Sequence, residues 1–373
     1  MSEDLAELVE IGDLDELLRA TDRLCDAREW ALLVDLRDRC RRAVERGKQL
    51  WPAANHVEYR LALEAPGEYA ARMLTDVAGL FGLGPLAEVA AARHDWADLA
   101  PYVPRTPTAA MCAHERVLRG EDLTDVDLGG PDPLEVPRVL CDWEPEYPLA
   151  EYRPDDASFP SPPPVAGGAA TAVDLGGPDP LEVPRVLCDW EPEYPLAEYR
   201  PDDASFPSPT PVAGGAATAV ESGAARITHS GVARTLRDLV HPWTADGDAT
   251  TAAVQGDVRG AIGALDGPEV RLVEISLADA LAWLGWAGAS GGAHGRRRGA
   301  AAGRFDAWMV LAELVDLGDD WPIDPVALGD RSSRLRWYAW DAVGIGPTGW
   351  VLRLAVEDPE RDLSFALMAH DPA

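Results

Sequence analysis

The densest positive charge in this chain lies in Ser290-Gly291-Gly292-Ala293-His294-Gly295-Arg296-Arg297-Arg298-Gly299, which runs on into Ala300–Gly303. The stretch is glycine-rich and sits where a helix is expected to begin. Backbone N–H groups at such a start can bind an anion, arginines can clamp a carboxylate or phosphate, and an imidazole can donate or accept a proton. His294, Arg296, Arg297 and Arg298 therefore form the candidate ligand-binding set, for an anion. The competing reading is structural: the glycines end one helix and open the next, while the arginines pair with Asp and Glu nearby. Positive charge at a helix N-terminus opposes the macrodipole, which argues against tuning for helix stability alone.

The other chemistry-bearing residues are weaker. Gly344-Ile345-Gly346-Pro347-Thr348-Gly349 matches the letters of a dinucleotide loop, but a strand is expected after it instead of a helix, so it reads as a hairpin turn. His94, Asp95 and Asp98 lack a further ligand cluster nearby in sequence and read as a solvated helix end. Cys112 and His114 are two apart on an expected helix, face different directions and make a poor nucleophile–base pair. Asp316, Asp319, Asp320 and Asp324 lack the spacing and central glycine of a calcium loop. No catalytic set is recognised, and neither a metal site nor a cofactor is expected.

The elements that must position these residues differ between the two ends of the chain. Residues 1–120 read as short helices: Leu5, Leu8 and Val9 before Gly12; Asp13 and Glu16 as a capping box opening a run through Leu24; then Trp30, Leu33, Leu36, Cys40 and Val44, stopped at Gly47. Val57 and Leu61 follow, then Tyr69, Met73, Val77 and Leu80, then Leu86–Arg93 and Ala109–Leu118. This predicts a helical bundle or repeat-like array. Residues 221–373 mix helices with strands at Thr250–Val254, Glu269–Ile275, Arg334–Asp341, around Trp350–Val356 and around Leu363–Leu367. Their alternation predicts an antiparallel meander with one apolar face, and the chain is α+β.

Residues 121–220 separate the two. Asp127–Val173 is repeated as Asp174–Val220, with Thr210 in place of Pro163 as the only change. Agreement this close records a recent DNA duplication, or an assembly error, and not structural selection. Of the 32 prolines, 19 lie in 127–220, and each copy carries nine acidic residues against two arginines, the composition of an extended acidic linker. The aromatic and acidic core Cys141-Asp142-Trp143-Glu144-Pro145-Glu146-Tyr147-Pro148-Leu149 opens a second reading, in which one copy drapes over a folded domain or presents a docking motif. Both copies cannot fill one groove. The two flanking units could also pack into one body with the linker looping out.

The formal charge is −31, with no region basic overall, which disfavours nucleic-acid and anionic-membrane binding. The N-terminus lacks a signal-peptide pattern, and no apolar stretch approaches the roughly 20 residues that span a bilayer. Five cysteines without a Cys-x-x-Cys pair suit reduced, buried thiols in a cytoplasmic protein. The run from Gly292-Ala293-His294-Gly295-Arg296-Arg297-Arg298 through Trp337-Tyr338-Ala339-Trp340 to Thr348-Gly349-Trp350 resembles uncharacterised proteins of high-GC actinomycetes. That resemblance is confined mainly to the C-terminal region and implies no activity. The expectation is a non-catalytic cytoplasmic interaction protein with an unidentified protein partner; the alternative is a small-molecule enzyme or sensor gripping an anion at His294–Arg298. Deleting Asp174–Val220 is expected to leave the melting temperature unchanged within error, and a loss of several degrees would place the second copy within the fold.

Overall fold

In the computed structural model the described residues are 2–75, 85–128, 132–154, 217–218, 226–228, 230–243, 248–265, 270–290, 297–342 and 350–371. His294, Arg296, the Gly344–Gly349 turn, and Val77 and Leu80 lie outside them, as does nearly all of the second copy. The helices are α1 (Ser2–Ile11), α2 (Leu14–Asp26), α3 (Trp30–Glu45), α4 (Trp51–Glu64), α5 (Gly67–Ala70), α6 (Leu86–Arg93), α7 (Trp96–Leu99), α8 (Pro107–Val117), α9 (Gly231–Val240), α10 (Val258–Gly263), α11 (Leu277–Ala289), α12 (Ala300–Leu314) and α13 (Pro325–Ser332). The strands are β1 (Ala217–Thr218), β2 (Asp248–Gln255), β3 (Val270–Ile275), β4 (Arg336–Ala342), β5 (Trp350–Asp358) and β6 (Leu363–Asp371).

Local chemistry sets the boundaries. Asp13 accepts from the Glu16 amide and opens α2, and Ser276 and Asp279 form a reciprocal capping box at α11. In α3 the buried residues Leu33, Leu36, Cys40 and Ala43 fall at three- and four-residue steps, and Gly47 beyond it adopts a positive φ of 90°. The expected helix through Tyr69 and Met73 is shorter: α5 passes into a 3₁₀ turn at Ala71–Met73. Helix α4 is buried on almost every side, and its polar residues are paired: Glu58 and Asn55 accept from Arg41, and Arg60 donates to Asp22 and Glu64. The helices α1 to α6 and α8 enclose one apolar core around α4.

The sheet has the order β1-β3-β4-β5-β6-β2, every neighbouring pair antiparallel. One face, with Trp337, Trp350, Leu352, Leu354, Val356, Phe365 and Leu367, packs on α9, α11 and α12. The expectation of a single apolar face is corrected here. Ala252, Val254, Ala355 and Ala366 lie on the other face, where α10 covers them with Val258, Ala261 and Ile262. Small side chains there let a six-residue helix lie close against the sheet, a signal that period-two reading does not register.

Helices α11 and α12 touch through backbone. A Cβ on Gly303 would collide with the Gly285 carbonyl oxygen and lie 2.8 Å from the Ala289 nitrogen. Alanine is the better helix former, yet Gly303→Ala is expected to lower stability by about 1–3 kcal/mol through overpacking. Urea unfolding measures this, and a stabilised variant would show that the helices can part at no cost.

Candidate functional site

Residues 132–153 of the first copy do not stand off in solvent. They cross from α8, over α11, α12 and α13, and back to α4 and α6, burying Leu134, Val136, Tyr147 and Ala150. The segment is pinned at its start by Asp132, whose carboxylate meets His114 Nε2 at 2.8 Å, and by Arg138, whose carbonyl accepts from the Leu123 amide. At its end the Arg153 carbonyl accepts from the Tyr59 hydroxyl at 2.7 Å. We call this segment the strap.

The middle of the strap enters a groove. Trp143 lies against Trp308 with ring centroids 5.1 Å apart, donates from Nε1 to the Pro325 carbonyl at 3.1 Å, and fills the place that a side chain on Gly329 would take. The Tyr147 ring covers Gly285, where a Cβ would come within 2.7 Å of it. Between them the Glu144 side chain is fully buried and accepts five hydrogen bonds. Arg304 Nε and Nη2 donate at 2.7 Å each, Trp308 Nε1 at 2.8 Å, the Cys141 amide at 2.9 Å and the Tyr147 hydroxyl at 3.0 Å. Burial pushes the Glu144 carboxyl up, but Arg304 and these donors outweigh it and hold the group below its usual range. Arg304 also donates from Nη1 and Nη2 to the strap carbonyls of Pro137 and Val139. Asp142 and Glu146 are exposed on either side of the seated Trp143 and Glu144.

A second buried cluster lies at the N-terminus of α12, where sequence reading placed an anion. The anions there belong to the protein. Arg297 Nε and Nη2 grip Glu88 bidentately at 2.8 and 2.6 Å, and the Ala300 amide donates to the same carboxylate at 3.3 Å. The Ala301 amide donates to Glu115 at 2.7 Å, and Arg119 pairs with Glu115 at 3.0 Å. Tyr152 of the strap donates to Glu88 at 2.7 Å. Gly299 holds a φ of 99°, and a Cβ on it would come within 2.8 Å of Glu115 Oε1. Arg298 turns the other way: its amide and Nη1 donate to the Ala289 and Gly288 carbonyls at the end of α11, and it pairs with Asp306. Its charge therefore faces the negative end of α11, while Glu88 neutralises Arg297, and the conflict with the α12 dipole disappears.

Of the sequence-derived set, Arg297 and Arg298 are thus ion-paired within the chain and point to different partners, and His294 and Arg296 fall outside the described residues. Glu88, Glu115, Glu144 and Arg304 were missed. A signal existed for Arg304, which sits among Ala300, Ala301, Ala307 and Trp308 at three- and four-residue steps, and for Glu115, whose neighbours at those steps are Met111, Cys112 and Leu118 with Arg119 as its ion-pair partner. The described thiols are free, and burial pushes Cys25, Cys40, Cys112 and Cys141 up to about 12, away from nucleophilic use. Among the described residues no group of three or more His, Cys, Asp or Glu could hold a metal ion, and no helix is long and apolar enough to cross a membrane. A cleft of about 230 Å³ at Asp316, Arg331, Arg334, Asp358, Glu360 and Arg361 has Arg361 paired with Asp358 and Asp316 and Arg334 paired with Glu360.

Residues 15–372 match the model of a family of unknown function, DUF6183. The chain belongs to this family. The match runs from α2 to beyond the end of β6 and so includes the strap. No curated protein and no solved structure matches the chain.

Two outcomes are expected. Arg304→Ala leaves Glu144 buried without its partner and should cost about 3–5 kcal/mol in denaturant unfolding; a loss below about 1 kcal/mol would mean that the strap releases its carboxylate to water. Burial and the adjacent Glu88 carboxylate raise Glu115 from 4.5 to about 7. A group that holds its proton more tightly when folded contributes stability that is full below pH 4.5 and lost as pH rises through about 7. Glu88, lowered chiefly by Arg297 against its burial, has the opposite sign and loses its contribution on acidification. Glu115→Gln should therefore remove a fall in melting temperature between pH 5 and 8 that the parent shows; identical profiles would show that Glu115 stays ionised.

Proposed function

We propose that this chain is a non-catalytic, cytoplasmic protein-interaction protein whose α+β unit receives an acidic, aromatic, proline-punctuated peptide. The observation that carries the reading is the seating of Trp143, Glu144 and Tyr147 in three adjoining positions made by Gly329 with Trp308, by Arg304, and by Gly285. A buried aromatic anchor beside a fully engaged charge, with exposed acids flanking them, is how peptide ligands are held in grooves. In this reading the helical unit (1–120) and the α+β unit (221–373) are the bodies, and the first copy of the acidic segment is the resident ligand between them. The partner is a protein, with neither nucleic acid nor membrane involved, since the chain carries a formal charge of −31. The internal pairing of Arg297 and Arg298 supports this reading over an anionic small-molecule site at His294–Arg298.

The test disables both resident segments by Trp143→Ala, Glu144→Ala, Trp190→Ala and Glu191→Ala, then adds a synthetic peptide of residues 136–153. Saturable binding with a rise in melting temperature is expected, because a ligand at 100 times its Kd stabilises by about 2.7 kcal/mol. The same peptide carrying Trp143→Ala should not bind. Absence of binding by the intact peptide would sink the reading.

A further inference from the structure

The duplicated chain contains the ligand of the groove twice. The strap, residues 132–153, is repeated without any change as residues 179–200, because the single difference between the copies, Pro163 against Thr210, lies beyond Arg153. Every contact described for the strap thus has a chemically identical candidate in the second copy: Asp179 for His114, Trp190 for the Gly329–Trp308 slot, Glu191 for Arg304, Tyr194 for Gly285 and Tyr199 for Glu88. The groove cannot distinguish them by affinity.

Chain connectivity distinguishes them only weakly. The strap in the structure comes from the first copy, whereas the edge strand β1, which pairs with β3, is Ala217–Thr218 from the tail of the second. Residues 155–216 connect the two. With the second copy seated, residues 201–216 would connect strap to strand, the spacing that a chain with one copy possesses, and residues 129–178 would form the loop on the entry side. Sixteen residues reach about 50 Å when extended, on the order of the diameter of a domain of this size. The first arrangement has connections of three and about 60 residues and the second of about 50 and 16, and because loop-closure entropy depends only logarithmically on length this sets them only modestly apart.

We propose that the two copies are interchangeable occupants of one groove, so that the folded protein exists in two registers with one copy seated and the other displaced. This rests on the groove reading above. It follows that the second copy acts as an internal spare: damage to one anchor shifts the population to the other register and leaves the fold intact.

The experiment compares melting temperatures of the full chain, full-chain Trp143→Ala, full-chain Trp190→Ala, the full-chain double variant, and a chain lacking Asp174–Val220 with and without Trp143→Ala. Interchange predicts that each single substitution in the full chain changes the melting temperature by less than about 2 °C. The double variant, and Trp143→Ala in the one-copy chain, should each lose on the order of 10 °C relative to their parents. If Trp143→Ala in the full chain loses as much as the double variant, the first copy alone is used and the proposal is overturned. If Trp143→Ala is harmless in the one-copy chain, the groove reading itself fails, which is a separate result. Should the double variant not fold, the two single variants and the one-copy pair still decide. Molar mass by light scattering completes the test: a monomer is expected, and rescue of Trp143→Ala only in a concentration-dependent dimer would overturn interchange within one chain.

Discussion

A carboxyl group taken out of water must be met by a cation or by several donors, or keep its proton; the architecture of this protein meets that requirement by pairing at Glu88 and Glu144 and in part by proton retention at Glu115. Glu88 and Glu144 find their principal partners on other elements, whereas Glu115 is shared between Arg119, four residues on, and the first turn of α12. Glu88 on α6 needs Arg297, Glu115 on α8 needs the first turn of α12, and Glu144 on the strap needs Arg304 and Trp308. Helix α12 and the residues just before it supply donors to all three. Buried charge on α6 and on the strap is therefore completed by α12 and the residues just before it. Such pairs add little net stability over apolar packing, but breaking one leaves an orphan charge, so they penalise wrong arrangements more than they favour the right one.

Small residues serve the same end. Gly285, Gly303 and Gly329 remove side chains where Tyr147, the α11 backbone and Trp143 arrive. The groove is an absence of Cβ atoms as much as a presence of aromatic rings. Large rings then fill what the glycines leave open, and Trp308 serves both as a wall for Trp143 and as a donor to Glu144.

Most elements were legible in the sequence because they obey local rules. The Asp13 and Ser276 caps, the apolar spacing of α3 and the alternation in β5 and β6 depend on neighbours within a few residues. The strap was half legible: Trp143 and Tyr147 were too apolar for a solvated spacer, but nothing local says which surface they meet. Helix α13 was not anticipated, being eight residues with a weak apolar pattern after Asp324 and Pro325. The anion-binding character of the α12 start was visible in its glycines and arginines. That its anions are Glu88 and Glu115 was not, since those carboxylates lie roughly 200 residues away in sequence and reach the site only through tertiary packing.

The origin of β1 in one copy and of the strap in the other has a genetic consequence. The described fold draws on one strap and one tail, and if the copies are interchangeable, further whole copies between them would add chain length and no new packed element. Replication slippage could contract the tract to a single unit or extend it to three, and each allele would encode the same packed body. Selection on folding is then blind to copy number, and the length of the tract is left to mutation and to whatever use the cell makes of the surplus segment.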